Sequence, residues 1–252
     1  LNDSTPVIFG ISPDHGAKGA YITITGNNFG NQLGRVWFKE NVNGQPGDAI
    51  EGNFVFPAGC GAVWTDKQIV VKFPLGSSGE PGKSYFVQVR PADASQIPSY
   101  IGPVFGLDSG EPAPGICALD PASGPVPFAS GAPNMKITGE YFGASPAVYF
   151  WTAGASLTAV SGRLPASLAT VTSLSVGQSI ATQPPLGSAT GPVVVFRSTD
   201  NKISNPANFS VIDCVKNNNT CTAPNTHCCV SGEEAGLCRP SAEICQGETL
   251  SA

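Results

Sequence analysis

The chain has 252 residues, of which 30 are Gly and 23 are Pro, about a fifth of the total against roughly 12% in an average protein. Only 12% of the residues are charged, with 13 Lys and Arg against 18 Asp and Glu, for a net charge of -5. This composition excludes long amphipathic helices and coiled coils, which need Ala, Glu, Lys, Leu and Arg in bulk. A hydrophobic share of 41% excludes a disordered chain. The acidic balance argues against a nucleic-acid partner, which selects a basic face. No apolar run approaches the 18 or so residues of a membrane span.

The elements that follow are short strands. Pro6-Val7-Ile8-Phe9-Gly10-Ile11-Ser12-Pro13 is an apolar strand stopped by proline, with Gly16 after it. Next comes Ala20-Tyr21-Ile22-Thr23-Ile24-Thr25-Gly26-Asn27-Asn28-Phe29-Gly30, whose alternation of apolar and Thr residues is the period-2 signal of a half-buried strand. The two glycines four apart predict a tight turn, with Phe29 between them tucked into the core.

A second copy starts at Ile116-Cys117-Ala118-Leu119-Asp120-Pro121, followed by Gly124. Met135-Lys136-Ile137-Thr138-Gly139-Glu140-Tyr141-Phe142-Gly143 answers the second strand of the first copy. Arg35-Val36-Trp37-Phe38 aligns with Ala147-Val148-Tyr149-Phe150, and Pro74-Leu75-Gly76 with Pro185-Leu186-Gly187. Tyr85 to Arg90 aligns with Pro192 to Arg197, and Ser95-Gln96-Ile97-Pro98 is echoed by Ser204-Asn205-Pro206. The offsets of 107 to 113 define a repeat of about 110 residues. With about seven short strands per copy and turn signals every 8 to 12 residues, the pattern fits an immunoglobulin-like β-sandwich. No helix is expected, and Leu164 to Ser173 reads as loop and strand.

The expected class is therefore all-β: two tandem immunoglobulin-like β-sandwiches plus a small disulfide-rich C-terminal module. The divisions are 1-107 and 116-213 for the sandwiches, 108-115 for a short semi-rigid linker rich in Pro and Gly, and 214-252 for the tail. Leu1-Asn2-Asp3-Ser4 is polar from the start, so the chain reads as a mature or excised product.

Eight cysteines are unevenly placed. Cys60 and Cys117 stand alone, whereas Cys214, Cys221, Cys228, Cys229, Cys238 and Cys245 crowd into 32 residues. An even count in a polar, turn-rich setting points to disulfides and an oxidising compartment. No C-x2-C pair of the zinc type is present. Cys60 and Cys117 are the only cysteines of their sandwiches, and the expectation is that they pair and clamp the two at a fixed angle.

The run I-x-P-x-x-G, then I-T-I-T-G-N-N-F-G, V-W-F and W-T-D-K-Q-I-V-V-K-F-P, resembles the IPT/TIG domain over residues 5 to 107, and more loosely over 114 to 213. In the second copy Trp64-Thr65-Asp66 has no counterpart, and Ser175 to Ile180 takes its place. The resemblance implies an immunoglobulin-like fold, shared by plexins, some transcription factors, bacterial surface proteins and carbohydrate-active enzymes. The DNA-binding members rely on basic loops in a partner domain, which this chain lacks. The tail spacing C-x6-C-x6-CC-x8-C-x6-C resembles a knottin. That resemblance implies the pairs Cys214–Cys229, Cys221–Cys238 and Cys228–Cys245, in a segment too short to bury a core of its own.

Candidate chemistry is sparse. His15 beside Asp14 could be half of a hydrolytic triad, but no G-x-S-x-G elbow exists and the pair reads as an exposed turn. His227 beside Cys228-Cys229 reads as a surface residue rather than a metal ligand. Asp108, Glu111 and Asp120 flank the linker and could offer oxygens to calcium, at spacings that are not diagnostic. Glu233-Glu234 reads as a solvated loop. Among the exposed-looking aromatics Trp37, Trp64, Trp151, Tyr21, Tyr85 and Tyr100, the reading puts Trp37 and Trp64 in the core. Alternation places Tyr149 and Trp151 on one face, the candidate ligand-stacking pair. Asn2, Asn208 and Asn218 head N-glycosylation triplets.

The expected function is a non-enzymatic structural or adhesive protein, extracellular or on the cell surface, as a filament subunit or part of a longer surface chain. The alternatives are a carbohydrate-binding accessory module of a secreted enzyme and a protein-binding receptor ectodomain fragment. No cofactor is expected. The expected partners are other surface proteins, glycans, or copies of the chain itself meeting head to tail through the apolar N-terminal edge at Val7-Ile8-Phe9.

Overall fold

A computed structural model describes residues 5–93, 98–126, 134–152, 166–169, 171–175, 178–185, 188–212, 226–228 and 238–240. Among these residues every regular element is a strand. The first sandwich holds β1 (Val7–Ser12), β2 (His15–Ala17), β3 (Tyr21–Asn27), β4 (Arg35–Val42), β5 (Gln45–Glu51), β6 (Gln68–Lys72), β7 (Ser84–Arg90) and β8 (Val104–Asp108). One sheet runs β1-β3-β6 and the other β2-β8-β7-β4-β5.

The second sandwich holds β9 (Gly115–Asp120), β10 (Ser123–Gly124), β11 (Met135–Glu140), β12 (Pro146–Thr152), β13 (Ala166–Ala169), β14 (Val171–Ser175), β15 (Ser179–Thr182), β16 (Ser188–Arg197), β17 (Lys202–Ile203) and β18 (Ala207–Val211). Its sheets run β14-β15-β11-β9 and β10-β18-β16-β12-β13, with β17 on β16, so the strand order of the first sandwich recurs with β14 and β17 added. In both, the short second strand pairs in parallel with the last one. Each first strand ends at a cis X-Pro bond, Ser12-Pro13 and Asp120-Pro121.

The paired glycines have two distinct jobs. Gly30 and Gly143 take φ of 75° and 76°, which favours a residue without a Cβ. Gly26 and Gly139 sit where a Cβ would lie 2.0 Å from the Val7 carbonyl oxygen and 1.8 Å from that of Gly115. They let the first and second strands of each sheet meet. Phe29 and Phe142 are fully buried.

Each sandwich has its own core. The first packs Ile22, Ile24, Val36, Phe38, Phe73 and Phe105 among others, and the second Ile137, Val148, Phe150, Val193, Val195 and Phe209. Alternation along β4 and β12 sends Val36, Phe38, Val148 and Phe150 inward.

Three sequence expectations change. Trp37 is half-buried and alternates out of the core, while Trp64 is buried and donates its indole N–H to the Phe29 carbonyl at 3.1 Å. Tyr21 and Tyr85 are buried rather than exposed. The counterpart of Ser204 is Ser99, not Ser95. Ser99 and Ser204 each accept through Oγ from a core-strand amide, Val89 or Val195, at 2.9 Å, and their own N–H groups return to those strands.

In the tail, β19 (Thr226–Cys228) and β20 (Cys238–Pro240) pair antiparallel with Cys228 opposite Cys238. The rest of the six-cysteine pattern, with Cys214, Cys221, Cys229 and Cys245, lies outside the described residues, as do Asn2 and Asn218.

Candidate binding site between the sandwiches

The sandwiches meet along a buried seam built by the outer side of β3 and β6. Tyr21, Val70 and Cys117 form a third apolar cluster, backed by Phe56, Val63, Cys60 and Tyr141. Cys60 and Cys117 are joined by a disulfide, with Cα atoms 5.7 Å apart, so the sandwiches share a covalent tie besides the linker. β9 starts at Gly115, where a Cβ would fall 2.1 Å from the Tyr21 ring. Only glycine lets the chain enter the second sandwich so close to that ring.

A charged group crosses this seam. Lys72 Nζ donates to Glu140 Oε2 at 3.1 Å, and the Tyr21 hydroxyl donates to the same oxygen at 2.6 Å. Lys72 also lies 5.4 Å from the Tyr21 ring centre and 5.6 Å from that of Phe56, within cation–π range. Burial, and then the bond to Glu140, push the Tyr21 phenol well above its ordinary pKa.

Asn205, almost fully buried, donates to Thr23 Oγ1 at 3.1 Å and to the Ile116 carbonyl at 2.9 Å, and accepts from the Ile116 N–H at 2.7 Å. Thr23 donates to the Pro206 carbonyl at 3.0 Å. The linker is pinned as well: Arg197 donates to the Pro112 and Tyr141 carbonyls at 2.9 Å and 2.7 Å. Asp200 holds that guanidinium with two bonds and raises its pKa further, while its own carboxyl is held below the ordinary range.

Beside the seam the sandwiches enclose a cleft of about 460 Å³. The turn from β1 into β2 forms one wall, the linker residue Ala113 the back, and the segment from Asn201 to Pro206 with Val194 of β16 the other wall. His15 Nδ1 and Asp108 Oδ2 lie 2.7 Å apart, with Asp14 3.9 Å from the other ring nitrogen. The hydrogen bond to Asp108 raises the His15 pKa above 6.5. Lys202 on the opposite wall donates to the Glu111 carbonyl and lies 3.6 Å from Asp200.

The other candidates fall as follows. His15 belongs to β2 rather than a free turn, and its acid partner at closest range is Asp108, not Asp14. Asp108, Glu111 and Asp120 do not converge: among the described residues no three His, Cys, Asp or Glu side chains come together to hold a metal. Tyr149 is half-buried and stands opposite Val194 on β16. Trp151 is half-buried too, but the ladder to β16 slips between Phe150 and Thr152, and the indole lies against Gly191, where a Cβ would fall 2.6 Å from it. Asn208 is exposed on β18 beside the buried Phe209. Tyr100 is 84% exposed. The side chains of His227, Glu233 and Glu234 lie outside the described residues. No helix among the described residues is long and apolar enough to cross a membrane.

Sequence reasoning missed Lys72, Glu140, Thr23 and Asn205. A signal was present: Lys72 closes the apolar run Ile69-Val70-Val71, and Glu140-Tyr141 replaces Asn27-Asn28 of the first copy.

No protein-family model and no curated protein matches the chain. Solved structures resemble it at low identity. A γ-cyclodextrin glucanotransferase (Gamma-CGTase) from the alkalophilic Bacillus clarkii is 15% identical, with a TM-score of 0.30 over 82% of this chain and 26% of its own. The protein SGBP-B of a Bacteroides ovatus mixed-linkage glucan utilization locus, solved with a mixed-linkage heptasaccharide, is 13% identical, with a TM-score of 0.29 over 84% of this chain and 46% of its own. A chimeric titin Z1Z2 tandem is 16% identical, with a TM-score of 0.24 over 82% and 98%. The chain thus spans about a quarter and under half of the first two. None of these scores reaches 0.5, and none bears on a ligand.

Proposed function

We propose that the chain is a non-enzymatic extracellular element of a cell-surface protein, structural or adhesive in role, made of two IPT/TIG-like units that act as one rigid body. The observation that carries this reading is the seam, with its disulfide, its Lys72–Glu140–Tyr21 group and its Asn205 bonds. Neighbouring domains move relative to one another by default unless their interface is large and apolar. A covalent tie and a buried charged group oppose that motion, and a fixed spacing is what a surface element needs. The knottin-like tail suits the same oxidising compartment. Copies would join through β1, an outer strand of its sheet that carries no charged residue and leaves Phe9 67% exposed. Immunogold labelling of intact source cells, with electron microscopy of the native material, tests the reading. Label on the outer surface and ordered repeats support it; label confined to the cell interior overturns it.

A second reading, a carbohydrate-binding module, is favoured by Tyr149, a half-buried aromatic opposite a residue that lines the cleft. Sugar rings stack on such side chains through their C–H faces. A saturable hit on a glycan array supports this reading, and its absence across the array removes it.

A further inference from the structure

We infer that the cleft between the sandwiches is a binding site for a neutral, polyhydroxylated ring ligand, a single pyranose residue or the end of a glycan chain; this rests on the carbohydrate-binding reading and gives it a location. The cleft volume of about 460 Å³ falls within the roughly 300–1,000 Å³ of small-ligand sites, which favour domain interfaces.

Its walls are fixed before any ligand arrives. The β1–β2 side is tied to the second sandwich by Thr23, which contacts both Asn205 and Pro206. The linker is held by Arg197 and Lys202. A preformed cleft avoids the ordering cost that weakens ligand binding.

The chemistry of the walls selects the ligand. Ile11, Pro13 and Ile203 offer apolar surface to the C–H face of a ring. The carboxylates of Asp14 and Asp108 accept hydroxyl protons, whereas Lys202 and the ring N–H of His15 donate. A sugar hydroxyl is both donor and acceptor and can answer either kind of group. The charges are already paired within the protein, His15 with Asp108 and Lys202 with Asp200. Hydrogen-bonding capacity therefore remains, and the charge least answered within the cleft is that of Asp14, 3.9 Å from His15 Nε2. An anionic ligand meets two carboxylates and a cationic one meets Lys202, so charged sugars are disfavoured.

The test uses the full chain on an array of neutral, acidic and amino oligosaccharides, followed by titration with the best neutral hit. His15→Ala, Asp108→Asn and Lys202→Ala alter side chains at the cleft rim, and their melting curves verify the fold. The expected result is saturable binding among the neutral glycans, weakened at least tenfold by Asp108→Asn and by His15→Ala, with Trp37→Ala, two strands from β8 and outside the cleft lining, unchanged. Binding that survives all three rim variants but is lost in Tyr149→Ala overturns the cleft and leaves the carbohydrate reading standing. No saturable glycan binding overturns both. A preference for acidic or amino sugars overturns the assignment of a neutral ligand.

Discussion

His15 shows how a residue of ordinary chemistry acquires a folded-state role. β2 pairs with β8 in parallel, and the register His15↔Gly106, Ala17↔Asp108 brings the imidazole alongside the Asp108 carboxylate. The bond to Asp108 raises the His15 pKa from 6.5, with burial opposing it and the charges of Asp108 and Asp14 adding to it. A raised folded-state pKa means that the folded form binds the proton more tightly than the unfolded form. Its contribution to stability is fully present below pH 6.5 and is lost as pH rises through the raised folded value. Wild type should therefore exceed His15→Ala in stability by more at pH 5 than at pH 8.5, as read by urea midpoints. An equal difference at both values would show that the pair is not formed in solution. Because the side chain is 65% exposed, the difference should shrink in high salt.

At the scale of elements, the strands carry their instructions locally, and one short loop carries a long-range one. Asn43 and Gly44, with φ of 53° and 82°, close β4 on β5 in a two-residue hairpin that the Asn-Gly pair favours. By contrast the loop at Cys60 is shaped by a turn from Pro57 and by Gly59 at φ 93°, and its purpose becomes visible only against β9. The disulfide closes a sequence separation of 57 residues, which on chain-entropy grounds corresponds to about 4 kcal/mol. Replacing both cysteines by serine should lower the unfolding free energy by about that amount, measured by denaturant titration. Each sandwich keeps its own apolar core, so the β-sheet circular dichroism should persist at 25 °C. Loss of that signal would mean that the sandwiches fold only as a joined pair.

At the scale of the whole molecule the seam determines the angle between the sandwiches. Lys72 keeps only 10% of its side-chain surface exposed, and Glu140 keeps 28%. Removing the acid alone strands a nearly buried cation, so Glu140→Leu should cost about 3 kcal/mol. Lys72→Met leaves a carboxylate that still reaches water and the Tyr21 hydroxyl, and should cost less. The double variant should be less destabilised than the sum of the two, because it buries no unpaired charge. A double-mutant cycle by urea unfolding checks this, and additive losses would show that the two groups do not interact. Small-angle scattering of Glu140→Leu in the Cys60→Ser/Cys117→Ser background should show a wider distribution of inter-sandwich distances than wild type.

Much of this protein was legible from the chain alone. Period-2 alternation separated Tyr149 and Trp151 from Val148 and Phe150 on β12, because a pleated strand has only two faces, whereas on β4 the size of Trp37 drew the reading to the wrong face and Val36 and Phe38 point inward. The repeated glycines and the phenylalanines between them marked both turns, because backbone geometry there admits few residues. Tertiary structure alone decided which outward faces stay outward. Tyr21 and Thr23 alternate with Ile22 and Ile24 and read as solvent-facing, yet they are buried because the second sandwich covers them. Trp37 occupies an equivalent outward position on the other sheet and remains half-exposed because no such partner lies there in the described structure. The cleft has a related origin: the β2–β8 pairing sets His15 beside Asp108, and only the seam brings Lys202 of the second sandwich to the same space. Local pattern encodes the two faces of a strand, and packing between units determines what each outer face meets.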